Sequence, residues 1–161
     1  MPERQTFLAV VGAGACDARL ARIAETVGRE IAKARAVLVC GGLGGVMQAA
    51  CRGARAEGGL TVGLLPTETR ESAGPEVLVP IATGLGEARN VLIARTSDAL
   101  IAVGGEFGTL SEIALALKMG KPVIGIDTWE LVKNGEPSNA ILRVTSAEEA
   151  VQAAIRSVRG S

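Results

Sequence analysis

Four times along this chain an apolar run ends in a glycine cluster and gives way to residues with helical spacing. The runs at residues 7–11 and 37–40 lead into Gly12-Ala13-Gly14 and Gly41-Gly42-Leu43-Gly44-Gly45. Those at 77–81 and 99–103 lead into Thr83-Gly84-Leu85-Gly86 and Gly104-Gly105-Glu106-Phe107-Gly108-Thr109. Strand, tight turn and helix start in that order make half of a βαβ unit. Such units build a parallel sheet with right-handed crossovers. The spacing predicts further strands at 60–65 and 122–126 and a short edge strand at 141–144. Helices are expected behind Asp17 as N-cap, from Gly45 to about residue 57, from Gly86 through 95, and up to 119. A last one opens on the capping box Ser146-x-x-Glu149. Residues 67–75 read as a loop and candidate lid, and 133–139 as a second loop.

The core of such a chain must be aliphatic, because 48% of its residues are apolar and only 2% aromatic. Ala, Val, Leu and Ile without aromatics suit strands covered on both faces. The expected fold class is therefore α/β, a Rossmann-like, doubly wound, mostly parallel sheet of six or seven strands with helices on both faces. Residues 1–161 read as one domain.

The absence of histidine removes His-based triads, the usual neutral-pH proton shuttle and most zinc sites. No metal site and no required cofactor are expected. Seventeen basic residues balance seventeen acidic ones, so nothing offsets a phosphate backbone and no nucleic-acid partner is expected. The longest uncharged stretch, 36–51, is broken by four glycines and too short to span a bilayer, so no membrane partner is expected either. The run at 7–11 reads as a first strand rather than a signal peptide. Cys16, Cys40 and Cys51 form no Cys-x-x-Cys pair and read as reduced thiols of a cytoplasmic protein.

In open α/β sheets ligands bind beyond the carboxyl ends of the strands, at the topological switch point. All four glycine clusters lie at such ends, where backbone N–H groups approach an anion closely. Gly12-Ala13-Gly14 matches the start of a dinucleotide fingerprint, but Asp17 occupies the third glycine position, which argues against an NAD site. Glu112 has two readings: a ligand-facing carboxylate, or the partner of Thr109 in a Thr109-Leu110-Ser111-Glu112 capping box. Arg89 is a cation in the first turn of its helix, opposing the helix dipole. It is either ligand-directed or an exposed surface arginine. If strands four and five are parallel neighbours, Arg89 and Glu112 converge over the glycine turns. A guanidinium, a carboxylate and a ring of N–H donors suit an anionic, nucleotide-like ligand.

The pattern Gly104-Gly105-x-x-Gly108-Thr109-x-x-Glu112, with Arg89 twenty-three residues before the glutamate, resembles the Lonely guy proteins, long called lysine-decarboxylase-like. These belong to the SLOG nucleotide-binding superfamily. The phrases 59–66, 83–90 and 105–117 are similar to a small bacterial branch that includes molybdenum-cofactor-carrier-like proteins. Val103 stands where the Lonely guy enzymes have proline, and Arg89-Asn90 where they carry a longer Arg-Lys segment. The resemblance implies that the Gly108-Thr109 turn holds a phosphate. It also implies that Arg89 and Glu112 would be the catalytic pair if the chain cleaves the N-glycosidic bond of a nucleoside 5′-monophosphate. The candidate ligand-binding residues are then Gly12, Gly14, Gly41, Gly42, Gly44, Gly45, Thr83, Gly84, Asn90, Gly104, Gly105, Gly108 and Thr109. The expected function is sensing or carrying a nucleotide or pterin-phosphate-like ligand, with phosphoribohydrolase activity as the alternative. A homodimer or higher homo-oligomer is implied by the same resemblance.

Overall fold

The computed structural model describes residues 4–160; residues 1–3 and 161, which the single-domain expectation includes, lie outside them. In chain order the elements are β1 (Phe7–Gly12), α1 (Ala18–Lys33), β2 (Val37–Cys40), α2 (Val46–Ala56), β3 (Thr61–Leu65) and β4 (Val79–Ala82). A 3-10 turn (Gly86–Arg89), α3 (Asn90–Thr96), β5 (Ala99–Val103), α4 (Phe107–Lys118) and β6 (Val123–Ile126) follow. The chain continues through β7 (Val132–Lys133), β8 (Glu136–Pro137), β9 (Ile141–Arg143) and α5 (Ala147–Arg159).

Seven strands form one parallel sheet in the order β4-β3-β2-β1-β5-β6-β9. The chain winds outward from β1 to β4, returns, and winds outward again from β5 to β9. The switch point is the crevice between β1 and β5. The central strands are buried on both faces and alternate between two cores. Leu8, Val10, Ile101 and Val103 pack under α1, α2 and α5. Ala9, Val11, Leu100 and Ala102 pack under α3 and α4 with Ile93, Ala94 and Ile113. α1 and α2 touch backbone to backbone, because a Cβ on Gly28 would stand 1.8 Å from the Ala50 carbonyl oxygen.

Two caps form where the sequence places them. Asp17 Oδ1 accepts the Leu20 N–H at 2.8 Å, and Ser146 Oγ accepts that of Glu149 at 3.2 Å. Three local expectations change. β4 starts two residues late, because the Thr61 hydroxyl accepts the Leu78 N–H and donates to the Glu76 carbonyl, taking that segment out of the ladder. Residues 133–139 contain a hairpin, not a plain loop: Asn134 and Gly135 both adopt positive φ (54° and 79°) between β7 and β8, as a two-residue turn requires. The third change concerns α4, which starts at Phe107 with Glu106 as N-cap. Gly104 and Gly105 complete the turn with φ of 58° and 111°. Thr109 is therefore the third helical residue, and Glu112 the sixth. No capping box exists there.

Candidate functional site

Arg89 and Glu112 meet, though not by the expected route. β4 and β5 are not neighbours; β3, β2 and β1 lie between them. The chain leaving β4 crosses back over the sheet, and the 3-10 turn seats Arg89 on β3. Its Nε–H donates to the Leu64 carbonyl at 2.8 Å. α3 then runs beside α4, and Asn90 ties the two, donating from Nδ2 to Ser111 Oγ at 3.0 Å. The Asn90 Oδ1 also accepts from Arg89 Nη1, and Arg89 Nη2 reaches the Gly41 carbonyl at 3.5 Å.

Arg89 is thus no surface arginine: it is 8% exposed. A guanidinium carries five N–H donors; three are engaged here, which leaves two. Glu112, 7% exposed, makes no side-chain hydrogen bond among the described residues. Its pKa is pushed up to about 7 by burial, against the opposing pull of the Arg89 charge. A carboxyl near half-protonation at neutral pH beside a buried cation is the arrangement from which acid–base chemistry and anion binding are built.

Both residues line a cavity of about 180 Å³ at the β1/β5 switch point, together with Gly12, Ala13, Gly14, Met47, Asn90, Glu106, Gly108 and Thr109. The free N–H groups at the start of α4 add their partial positive charge. Pockets for whole drug-sized molecules run from roughly 300 Å³ upward. This one is smaller than that and has the size of a subsite for a single small group.

Of the residues read as candidates from the sequence, the structure brings Gly12, Gly14, Arg89, Asn90, Gly108, Thr109 and Glu112 to this cavity. The others do not line it. Gly44 and Gly45 brace the β1 turn: a Cβ on Gly45, at φ 64°, would stand 2.2 Å from the Ala13 carbonyl oxygen. Gly45→Ala should therefore cost several kcal/mol of unfolding free energy in denaturant titration, through a backbone clash as well as an unfavourable φ. Gly41 is wedged between Arg89 Nη2 and Met47 Sδ, and Gly42 packs on Leu65. Gly104 packs on Leu20 and Gly105 on Thr109. Thr83 and Gly84 close the β3–β4 end, where the Thr83 hydroxyl donates to the Leu65 carbonyl at 2.6 Å and the Gly84 N–H to that of Thr67. No residue of the expected lid 67–75 lines the cavity; Gly74 instead donates to the Gly42 carbonyl at 2.9 Å.

Sequence reasoning missed Ala13, Met47 and Glu106. Met47 falls in the apolar spacing of α2 and reads as core, and only its place behind the glycine turn hints otherwise. Glu106 and Ala13 lie inside motifs that were read for their glycines.

The family model described as SLOG cluster4 family matches residues 5–151. The chain belongs to the SLOG cluster4 family. The structure of a molybdenum cofactor binding protein from Rippkaea orientalis superposes with a TM-score of 0.87 at 35% identity, covering 98% of this chain and 99% of that one. The molybdenum cofactor carrier protein of Chlamydomonas reinhardtii matches with a TM-score of 0.81 at 30% identity, over 97% and 99% of the two chains. A cytokinin riboside 5′-monophosphate phosphoribohydrolase of Mycobacterium tuberculosis is 37% identical over 122 residues, which are 70% of this chain and 65% of that enzyme. Among the described residues no helix is long and apolar enough to cross a membrane.

Proposed function

We propose that this SLOG protein carries a small phosphorylated heterocycle, a nucleotide or a pterin phosphate, with the phosphate held between Arg89 and the start of α4. The observation behind this reading is Arg89 itself: a buried cation at a cavity, with two unused donors and, among the described residues, no carboxylate within ion-pair distance. Burying such a charge is costly unless a counter-ion completes it, and a phosphate supplies both the charge and the acceptors. Thr109 and the N–H groups of Gly108 and Thr109 would receive the remaining oxygens. The carrier relatives named above support cargo binding of this kind. The two free donors also suit a phosphate monoester better than a neutral ring.

A second reading rests on Glu112. A buried carboxyl without a hydrogen bond, beside the place of the phosphate, is suited to stabilising an oxocarbenium-like transition state or activating water. The phosphoribohydrolase relative lends it weight.

One panel separates the two. Nucleoside monophosphates, cyclic nucleotides and pterin phosphates at about a hundred times their Kd should add roughly 3 kcal/mol of stability, a rise in Tm on the order of 5–10 °C. A flat panel would sink the site. If the protein is a hydrolase, a monophosphate should also yield free base and ribose 5-phosphate without added metal. Glu112→Gln should then cut that rate at least on the order of a hundredfold while binding persists. Tight binding without base release, unaffected by Glu112→Gln, leaves the carrier.

The protein is further proposed to act in the cytoplasm as a homodimer or higher homo-oligomer. Leu78, Val79, Ile81 and Leu85 expose apolar surface along and beyond edge strand β4, a patch that association would cover. Light scattering should return a multiple of 16.4 kDa; the monomer mass at micromolar concentration would refute association.

A further inference from the structure

Where β2 runs into the Gly41 turn, two thiols face each other. Cys40 ends β2 and Cys51 lies in the second turn of α2; both are buried, with Sγ atoms 3.5 Å apart. The backbone N–H of Gly42 donates to Cys40 Sγ at 3.3 Å. Neither thiol has a part in ligand binding as read above. The pair does not pack as two inert apolar side chains, because it is hydrogen bonded and one member also receives a backbone donor.

We infer that Cys40 and Cys51 form a site of reversible oxidation by hydroperoxides, which joins them in a disulfide. Cys40 is the attacking atom. Its hydrogen bonds with Cys51 and with the Gly42 N–H, helped by the Arg89 charge, lower its pKa below the ordinary thiol value against the opposing effects of burial and the Glu112 charge. The hydrogen bond to Cys40, and then burial, push that of Cys51 up. Cys16 is more accessible but a poorer nucleophile, since burial and the neighbouring Asp17 raise its pKa. Nucleophilic attack needs the thiolate, so accessibility and reactivity point to different cysteines.

The steps balance without another reactant. The Cys40 sulfur attacks one oxygen of hydrogen peroxide, the O–O bond breaks, and the departing hydroxide takes up the Cys40 proton as water. The Cys51 sulfur then attacks the Cys40 sulfenic acid, the S–O bond breaks, the S–S bond forms, and a second water leaves with the Cys51 proton. Two thiols lose two electrons and the peroxide gains them. The oxidant is uncharged and close to water in size. Gly41, the next residue after Cys40, packs against Arg89 Nη2 and Met47 Sδ, and both of those residues line the cavity.

Closing 3.5 Å to about 2 Å draws the end of β2 toward α2 and takes with it the Gly41 carbonyl that receives Arg89 Nη2. Oxidation thus resets the cation of the cavity. The cross-link itself does not depend on what the cavity binds; only this consequence rests on the carrier reading.

The test is a thiol map of the native protein. Both cysteines lie in one tryptic peptide, residues 36–52, and Cys16 in another, residues 5–19. After hydrogen peroxide and alkylation, peptide 36–52 should be unalkylated and about two mass units light, reverting with dithiothreitol, while Cys16 stays alkylatable. Cys51→Ser should stop at a Cys40 sulfenic acid that dimedone traps, and Cys16→Ser should behave as wild type. Alkylation of both buried thiols after native peroxide treatment, a cross-link formed only after denaturation, or oxidation of Cys16 first would each overturn the inference. The wild-type map decides it even if Cys51→Ser fails to fold.

Discussion

Arg89→Met should weaken binding of the best phosphorylated ligand from the thermal-shift panel on the order of a hundredfold or more, about 3 kcal/mol by isothermal titration. Methionine keeps an unbranched stem of similar reach. It removes the buried charge, its two unused donors and the anchors to Leu64, Asn90 and Gly41. Arg89→Lys should fall between, because a lysine restores the charge without the planar fork that reaches three acceptors at once. Circular dichroism on both variants separates a lost contact from a lost fold. Unchanged affinity in a folded Arg89→Met protein would place the anion elsewhere.

Glu112→Gln should stabilise the ligand-free protein at about pH 8 and change it little near pH 4.5. The sign follows from the proton balance. In the folded protein Glu112 holds its proton up to about pH 7, whereas the ordinary value is 4.5. Between those values the native state binds more protons than the unfolded chain, so stability falls as pH rises through the window. The shift corresponds to roughly 3 kcal/mol, fully present below 4.5 and lost above about 7. Glutamine has no proton to lose. The difference between variant and wild type in urea unfolding should therefore grow from near zero at acid pH to that size at alkaline pH. A constant difference would mean that Glu112 is solvated or ion-paired. Ionised Glu112 would repel an anion, so an anionic ligand beside it should bind more weakly as pH rises through 7.

Much of the fold was legible because it is written locally. Asp17 and Ser146 announce their helices, and the apolar runs at β1, β2 and β5 fall within one residue of the expected limits. The misses are also local, and each has a physical cause. The Asn134-Gly135 dipeptide is a hairpin signal that was passed over inside a loop. The start of β4 was displaced by a side chain, Thr61, that competes with the ladder for backbone partners. The capping box at Thr109 failed because Gly104 and Gly105 turn the chain in two residues, so that Glu106 becomes the cap. That loss freed Glu112 from its bland explanation and left it a buried carboxyl at the cavity.

What the sequence determined by itself was the set of parts. Strand, glycine turn and helix repeat along the chain, and the helix that follows each strand starts at its carboxyl end, so the turns had to share one edge of a parallel sheet. The lack of histidine and aromatics narrowed the chemistry before any coordinates. Only the tertiary structure decided which parts meet. Strand order is a choice among pairings distant in sequence, and local periodicity carries no record of it. The chain between β4 and β5 therefore returns across three strands to set Arg89 on Leu64 and beside Glu112, where adjacency of the two strands had been expected. The same holds for the glycines. Gly12 and Gly14 border the cavity while Gly44 and Gly45 brace the turn beside them, a division set by which backbone lies within reach. The pKa of Glu112 is pushed up to about 7 for that reason as well: burial in the tertiary structure raises it, and the cavity it shares with segments of β1, α2, α3 and α4 is contained in no single window of sequence.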